Sequence, residues 1–153
     1  MPAGMRASIP MTRDVVVVPP ELSLEKAWQT MQRQRIRHLP VVRVGALLGM
    51  LSDRDVLARG TLDEHGVLHV PKKLIVGEAM TPVPLKTCET STSVSDLARI
   101  MTEDKIDAIP IVRGLHLVGL VTSSDLIELL IERDEARPLP FDFRVIDDPR
   151  AYA

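Results

Sequence analysis

Apolar residues along this chain fall into two rhythms, and each rhythm occurs twice. Leu24, Ala27, Trp28 and Met31 recur at helical spacing behind Ser23, and Val94, Leu97, Ala98 and Met101 do so behind Ser93. Both stretches predict an amphipathic helix that opens on a serine cap and turns one face to a core. Two short aliphatic strands follow in each case, residues 39–44 and 47–51 around Gly45, then residues 109–112 and 117–121 around Gly114. Ser52-Asp53-Arg54-Asp55 and Thr122-Ser123-Ser124-Asp125 then lead into a closing helix. Short extended pieces at residues 15–18 and 83–86 precede each helix. The pattern therefore reads strand, helix, strand, strand, helix, twice over, in a chain of the α/β class.

The two copies align without gaps over residues 33–57 and 103–127, at an offset of 110 − 40 = 70 set by Pro40 and Pro110. Seven of these 25 positions are identical and nine are conservative, where chance gives about one or two identities. Upstream, Met11-Thr12 meets Met80-Thr81 at an offset of 69. A unit of about 55 residues buries too little apolar surface to be stable alone, so two packed copies are expected. We divide the chain into a tail (1–8), a first repeat (9–57), a polar connector with a short exposed element (58–75), a second repeat (76–131) and a second tail (132–153). That last segment carries Phe141, Phe143 and Tyr152 among Pro138, Pro140 and Pro149, which suits an extended arm lying on a partner or on its own body.

Composition narrows the functional classes. The chain of 153 residues is 45% hydrophobic and 26% charged, which excludes a disordered tail or a fibre. Its net charge of −2 lacks the broad positive field on which nucleic-acid affinity depends, so no nucleic-acid partner is expected. No apolar run approaches membrane-spanning length, and the single Cys88 rules out an internal disulfide, so a reducing cytoplasm is the expected location. No glycine-rich phosphate loop or nucleophile elbow occurs. His65, His69 and His116 lack a second ligand at metal-binding spacing, so neither an enzyme nor a metal centre is expected.

Each repeat resembles a cystathionine-β-synthase (CBS) domain, and the pair resembles the two-domain Bateman module. Three features carry this: the hydrophobic-Pro-Val-Val stretch, the Gly-hydrophobic-hydrophobic-Ser/Thr-x-x-Asp stretch, and the upstream Met-Thr. The resemblance implies two pseudo-twofold-related repeats with small sheets packed against helices. It also implies a regulatory module without required cofactors, binding AMP, ADP, ATP or S-adenosylmethionine between the repeats and pairing into a homodimer. Asp55 and Asp125 match the family's ribose-binding aspartate, and Ser52 and Thr122 its helix-opening hydroxyl. The resemblance also places Thr81 with Asp55 in one cleft and Thr12 with Asp125 in the other. Arg37 and His38 hold the positions that carry charge onto phosphates in nucleotide-binding relatives. Their counterparts Asp107 and Ala108 depart from that pattern, which disfavours a phosphate at the second cleft. The first site is thus expected from Arg37, His38, Ser52, Arg54, Asp55 and Thr81. A degenerate or less anion-seeking second site is expected from Thr12, Thr122 and Asp125.

Simpler roles compete with these. An aspartate three residues after a serine or threonine is a capping box in its own right. Arg37 beside Arg33 and Arg35 reads equally as a solvated helix end. Trp28 and the methionines at helical spacing read as packing, and Cys88 as a small buried side chain. At the level of function, the alternatives are a ligand-free dimerisation or interaction module, and a regulatory subunit that docks on an enzyme through its tail.

Overall fold

The computed structural model describes residues 14–132, 144–145 and 147–151, so Thr12, Phe141, Phe143 and Tyr152 lie outside the described residues. The first repeat runs through α1 (Leu24–Gln34), β1 (His38–Arg43), β2 (Ala46–Ser52) and α2 (Asp53–Arg59). A connecting hairpin, β3 (Thr61–Leu62) and β4 (Leu68–His69), leads to a short helix α3 (Val76–Ala79) and to β5 (Thr81–Pro82). The second repeat then runs through α4 (Val94–Asp104), β6 (Ala108–Arg113), β7 (His116–Thr122) and α5 (Ser123–Glu132).

The sequence repeat is reproduced bond by bond. Both long helices have 11 residues and open on a serine whose hydroxyl accepts a backbone N–H, from Lys26 at Ser23 and from Asp96 at Ser93. Each ends on a basic residue in the left-handed region, Arg35 at φ 54° and Lys105 at φ 53°. The strand hairpins share one register, His38 facing Ser52 as Ala108 faces Thr122, with an irregularity after Val41 and again after Ile111. Where a lead-in strand is expected, each repeat has a single parallel bridge, Val18 to Val41 and Cys88 to Ile111. Pro19 and Pro20 stop the first from extending. In the second repeat the bridge falls just beyond the expected 83–86 piece, because Cys88 is the residue 70 positions after Val18.

The two hairpins join edge to edge into one sheet of order β1-β2-β7-β6, with β5 added alongside β2. The join is short and symmetric: Leu47 N–H donates to the Leu115 carbonyl and Leu117 N–H to the Gly45 carbonyl, both at 3.0 Å. These four positions exchange under the offset of 70, so the pseudo-twofold axis passes between them. Leu24, Met31, Leu39, Val41, Leu51 and Val56 fill the first core, and Leu97, Met101, Ile109, Ile111 and Val121 the second. Trp28 packs half-buried against the first core and Cys88 is buried in the second.

One element crosses the boundary drawn from sequence. Val76, at the start of the stretch assigned to the second repeat, is fully buried in the first core. Its N–H donates to the Leu22 carbonyl and that of Gly77 to the Pro20 carbonyl, so α3 seals the first repeat before the chain turns into β5. The preceding hairpin is held by Asp63, whose Oδ1 accepts the N–H groups of His65 and Val67 while Oδ2 meets His69 Nε2 at 2.8 Å.

Candidate functional site

Strand alternation decides what faces outward. Along β2, Leu47, Gly49 and Leu51 are buried, so Met50 and Ser52 point to the opposite face; along β7, Gly119 and Val121 are buried and Leu120 and Thr122 point away. Those outward residues are the floors of two clefts.

The first cleft, of about 260 Å³, gathers residues from both repeats. The first repeat supplies Arg37, His38, Met50, Ser52, Asp53, Arg54 and Asp55. The second supplies Thr81, Leu85 and Lys86 from its lead-in, and Lys105, Ile106, Asp107, Ala108 and Pro110 from the turn after α4 and the start of β6. Every residue expected at the first site lies here, and Thr81 comes to the cleft that holds Asp55. β5 delivers it: Thr81 pairs with Met50 across the strands, and Val83 N–H donates to the Leu48 carbonyl at 3.0 Å. The approach needs Gly49, because a Cβ there would stand 2.6 Å from the Thr81 carbonyl oxygen and 2.7 Å from Met80 Sδ.

Asp55 sits in a complete capping box. Its Oδ2 accepts Ser52 N–H at 2.8 Å and the Ser52 hydroxyl at 3.0 Å, while Asp55 N–H donates back to Ser52 Oγ at 3.2 Å. The capping and ligand roles are compatible, since the cap uses Oδ2 and leaves Oδ1 for a hydroxyl pair. Asp125 repeats the arrangement, with Thr122 N–H donating to its Oδ2 at 2.7 Å and the Thr122 hydroxyl at 3.0 Å.

The second cleft, of about 310 Å³, is the pseudo-twofold image of the first. Leu120, Thr122, Ser124 and Asp125 replace Met50, Ser52, Arg54 and Asp55, while Val15 and Val16 replace Leu85 and Lys86. Arg35, Ile36, Arg37 and His38 replace Lys105, Ile106, Asp107 and Ala108, and Asp14 and Glu128 complete the lining.

Two placements differ from expectation. Arg37 and His38 line both clefts rather than the first alone. Asp107, expected to burden the second cleft, lines the first, where the axis carries the start of β6 across to the other repeat's site. Sequence reasoning also missed Lys105 and Arg35; their signal was a cation at the same offset after both long helices.

The electrostatics of the clefts differ accordingly. In the first, Arg37, Arg54, Lys86 and Lys105 face Asp53, Asp55 and Asp107, a small cationic excess. In the second, Arg35 and Arg37 face Asp14, Asp125 and Glu128. His38 adds little charge at neutral pH: burial lowers its pKa, Asp53, Asp107 and Asp55 pull it back up, and the neighbouring Arg37 pushes it down.

Comparison with known proteins identifies the family and the fold. The family described as CBS domain matches residues 7–60 and 76–132. The CBS domain-containing protein YhcV of Bacillus subtilis is 32% identical over 116 residues, covering 76% of this chain and 79% of its own length. Inosine-5'-monophosphate dehydrogenase of Korarchaeum cryptofilum is 34% identical over 125 residues, 81% of this chain but only 24% of that enzyme. A solved structure of CBSX2 in complex with AMP superposes with a TM-score of 0.70 at 26% identity, over 86% of this chain and all of that one.

Proposed function

The chain belongs to the CBS domain family, as a tandem pair of repeats, and on that premise we propose that it is a regulatory module, not an enzyme, that senses an adenosine nucleotide in its first cleft. One observation carries the reading. The fold brings Thr81 of one repeat to Ser52 and Asp55 of the other, and surrounds them with a graded set of surfaces suited to the three parts of a nucleotide. Met50, Leu85 and Ile106 offer apolar walls for a base. Asp55 offers a carboxylate oxygen for ribose hydroxyls. Arg37, Arg54, Lys86 and Lys105 offer cations for phosphate. That cationic excess favours AMP, ADP or ATP over S-adenosylmethionine, and the AMP complex of CBSX2 supports the choice.

Occupancy is relayed by the angle between the repeats, since the ligand touches both and, among the described residues, β2 and β7 meet in a short join. Ile127, Leu130 and Ile131 stand exposed along α5 and favour pairing into a homodimer that reads this change in a cytoplasmic setting. No helix among the described residues is long and apolar enough to cross a membrane.

Thermal melts with AMP, ADP, ATP, S-adenosylmethionine, NADH and GTP test the reading. A ligand at 100 times its Kd adds about 2.7 kcal/mol, which for about 150 residues raises Tm by about 5–11 °C. The expected result is such a rise for an adenine nucleotide in the wild type, lost in Asp55→Ala. A flat panel at millimolar ligand would instead favour a ligand-free interaction module, for which the carboxylate of Asp107 inside the first cleft is the specific observation.

A further inference from the structure

Arg37 and His38 form a wall common to both clefts, and the pseudo-twofold relation does not supply a second such pair. At the equivalent positions stand Asp107 and Ala108, which bring a carboxylate and a methyl group. The clefts are unequal in what remains when Arg37 is engaged. The first keeps Arg54, Lys86 and Lys105 against Asp53, Asp55 and Asp107. The second, among the described residues, keeps Arg35 against Asp14, Asp125 and Glu128. A guanidinium that pairs bidentately with one phosphate has its planar fork committed to that anion. A second phosphate brought to the same wall meets a neutralised cation and a like charge.

Resting on the nucleotide-binding reading above, we propose that the two clefts compete for the Arg37–His38 pair. An anionic nucleotide in the first cleft weakens the second cleft for another anionic nucleotide, whereas a neutral nucleoside fills each cleft independently. The coupling is reciprocal and acts through shared charge, with no change of shape required. Over a range of nucleotide concentrations the module therefore takes one phosphate-bearing ligand per chain.

Calorimetric titration of the full chain with AMP and with adenosine tests this, with the side-chain methyl signals of Met50 and Leu120 reporting the first and second cleft by NMR. In the wild type, AMP is expected to fill the Met50 cleft first. Disabling that cleft with Asp55→Ala is expected to tighten AMP binding at the Leu120 cleft about tenfold, within the usual range of coupling between sites. Adenosine at the Leu120 cleft is expected to bind equally in both proteins. In an Arg37→Gln background, Asp55→Ala is expected to leave AMP at the Leu120 cleft unchanged. Thr81→Phe, which fills the first cleft from exposed β5, serves as a second block should loss of the Asp55 cap unfold the chain. AMP affinity at the Leu120 cleft that ignores either block overturns the proposal, as does an equal gain for adenosine or the loss of all AMP binding in the blocked proteins. If neither AMP nor adenosine binds the wild type, the nucleotide reading itself fails, and the proposal with it.

Discussion

The two clefts are lined largely by equivalent positions 70 residues apart, and the same capping contacts occur in both. Each has a hydroxyl and an aspartate in a capping box, with matching hydrogen bonds of 2.8 and 2.7 Å from the cap N–H. Each has a basic residue in a left-handed turn on the far wall, Lys105 in one and Arg35 in the other. What differs is confined to side chains that the scaffold does not use. Arg54 becomes Ser124, Lys86 becomes Val16, and the shared wall presents Arg37 and His38 from one side and Asp107 and Ala108 from the other. The positions that match between the repeats are thus the ones that hold the fold, and several that differ line the clefts. Equal scaffolding with unequal charge is the ground on which we propose the first cleft as the stronger anion site.

The sharpest way to break this comparison is to spoil the scaffold of one cleft alone. Gly49→Ala places a methyl against the Thr81 carbonyl, and since that contact is backbone, β5 has to move outward. Overpacking of this kind costs about 1–3 kcal/mol. Thermal or urea unfolding should show that loss. AMP titration should show the Met50 cleft weakened and the Leu120 cleft not, because Thr81 lines the first. Equal weakening of the two would mean that β5 is no part of the first site.

Much of this was legible in the sequence, for a definite reason. Hairpin register, helix starts and capping boxes depend on residues within a few positions of one another, so Ser52 with Asp55 and Thr122 with Asp125 are visible from spacing. The offset also identified which residues are equivalent. What it leaves open is the side of the pseudo-axis on which an equivalent residue lands. Spacing alone therefore points Asp107 to the second cleft where it lines the first, and Arg37 and His38 to one cleft where they line two, and it does not show that Val76, at the start of the second repeat, packs into the first core. Lys105 was overlooked because a cation closing a helix looks like a solvated end, until the fold turns it into a cavity.

Lys105 and Arg35 permit a smaller perturbation that sharpens the same contrast. Both hold positive φ without being glycine, a conformation that disfavours a side chain by about 1–2 kcal/mol. Glycine relieves that strain but loses more chain entropy on folding, by about 0.4–1 kcal/mol. Lys105→Gly and Arg35→Gly are therefore each expected to leave stability unchanged or raised by up to about 1 kcal/mol in urea unfolding. Their effects on AMP should diverge, Lys105→Gly weakening the Met50 cleft and Arg35→Gly the Leu120 cleft. A pair of variants that gain stability and keep both affinities would show these cations to be helix ends and nothing more.

The smallest effect expected is a pH dependence at the shared wall. Burial holds the His38 pKa below its ordinary value of 6.5, so the unfolded chain binds this proton more readily than the folded one. Stability from His38 is then full above about pH 6.5 and declines as pH falls through that value toward the lower folded pKa. His38→Asn removes the group. The stability of the wild type relative to this variant, read from urea unfolding, should accordingly fall between pH 7.5 and 5.5. A bound phosphate reverses the cause, since an anion beside the imidazole favours its charged form. Saturating AMP should therefore flatten or invert the slope in the wild type and leave the variant's pH profile unmoved by comparison. Adenosine, without the phosphate, should leave the slope as it was. A slope indifferent to AMP would place the phosphate away from His38, on the Arg54 and Lys86 side of the first cleft, and would remove half of the shared wall from the competition between the clefts.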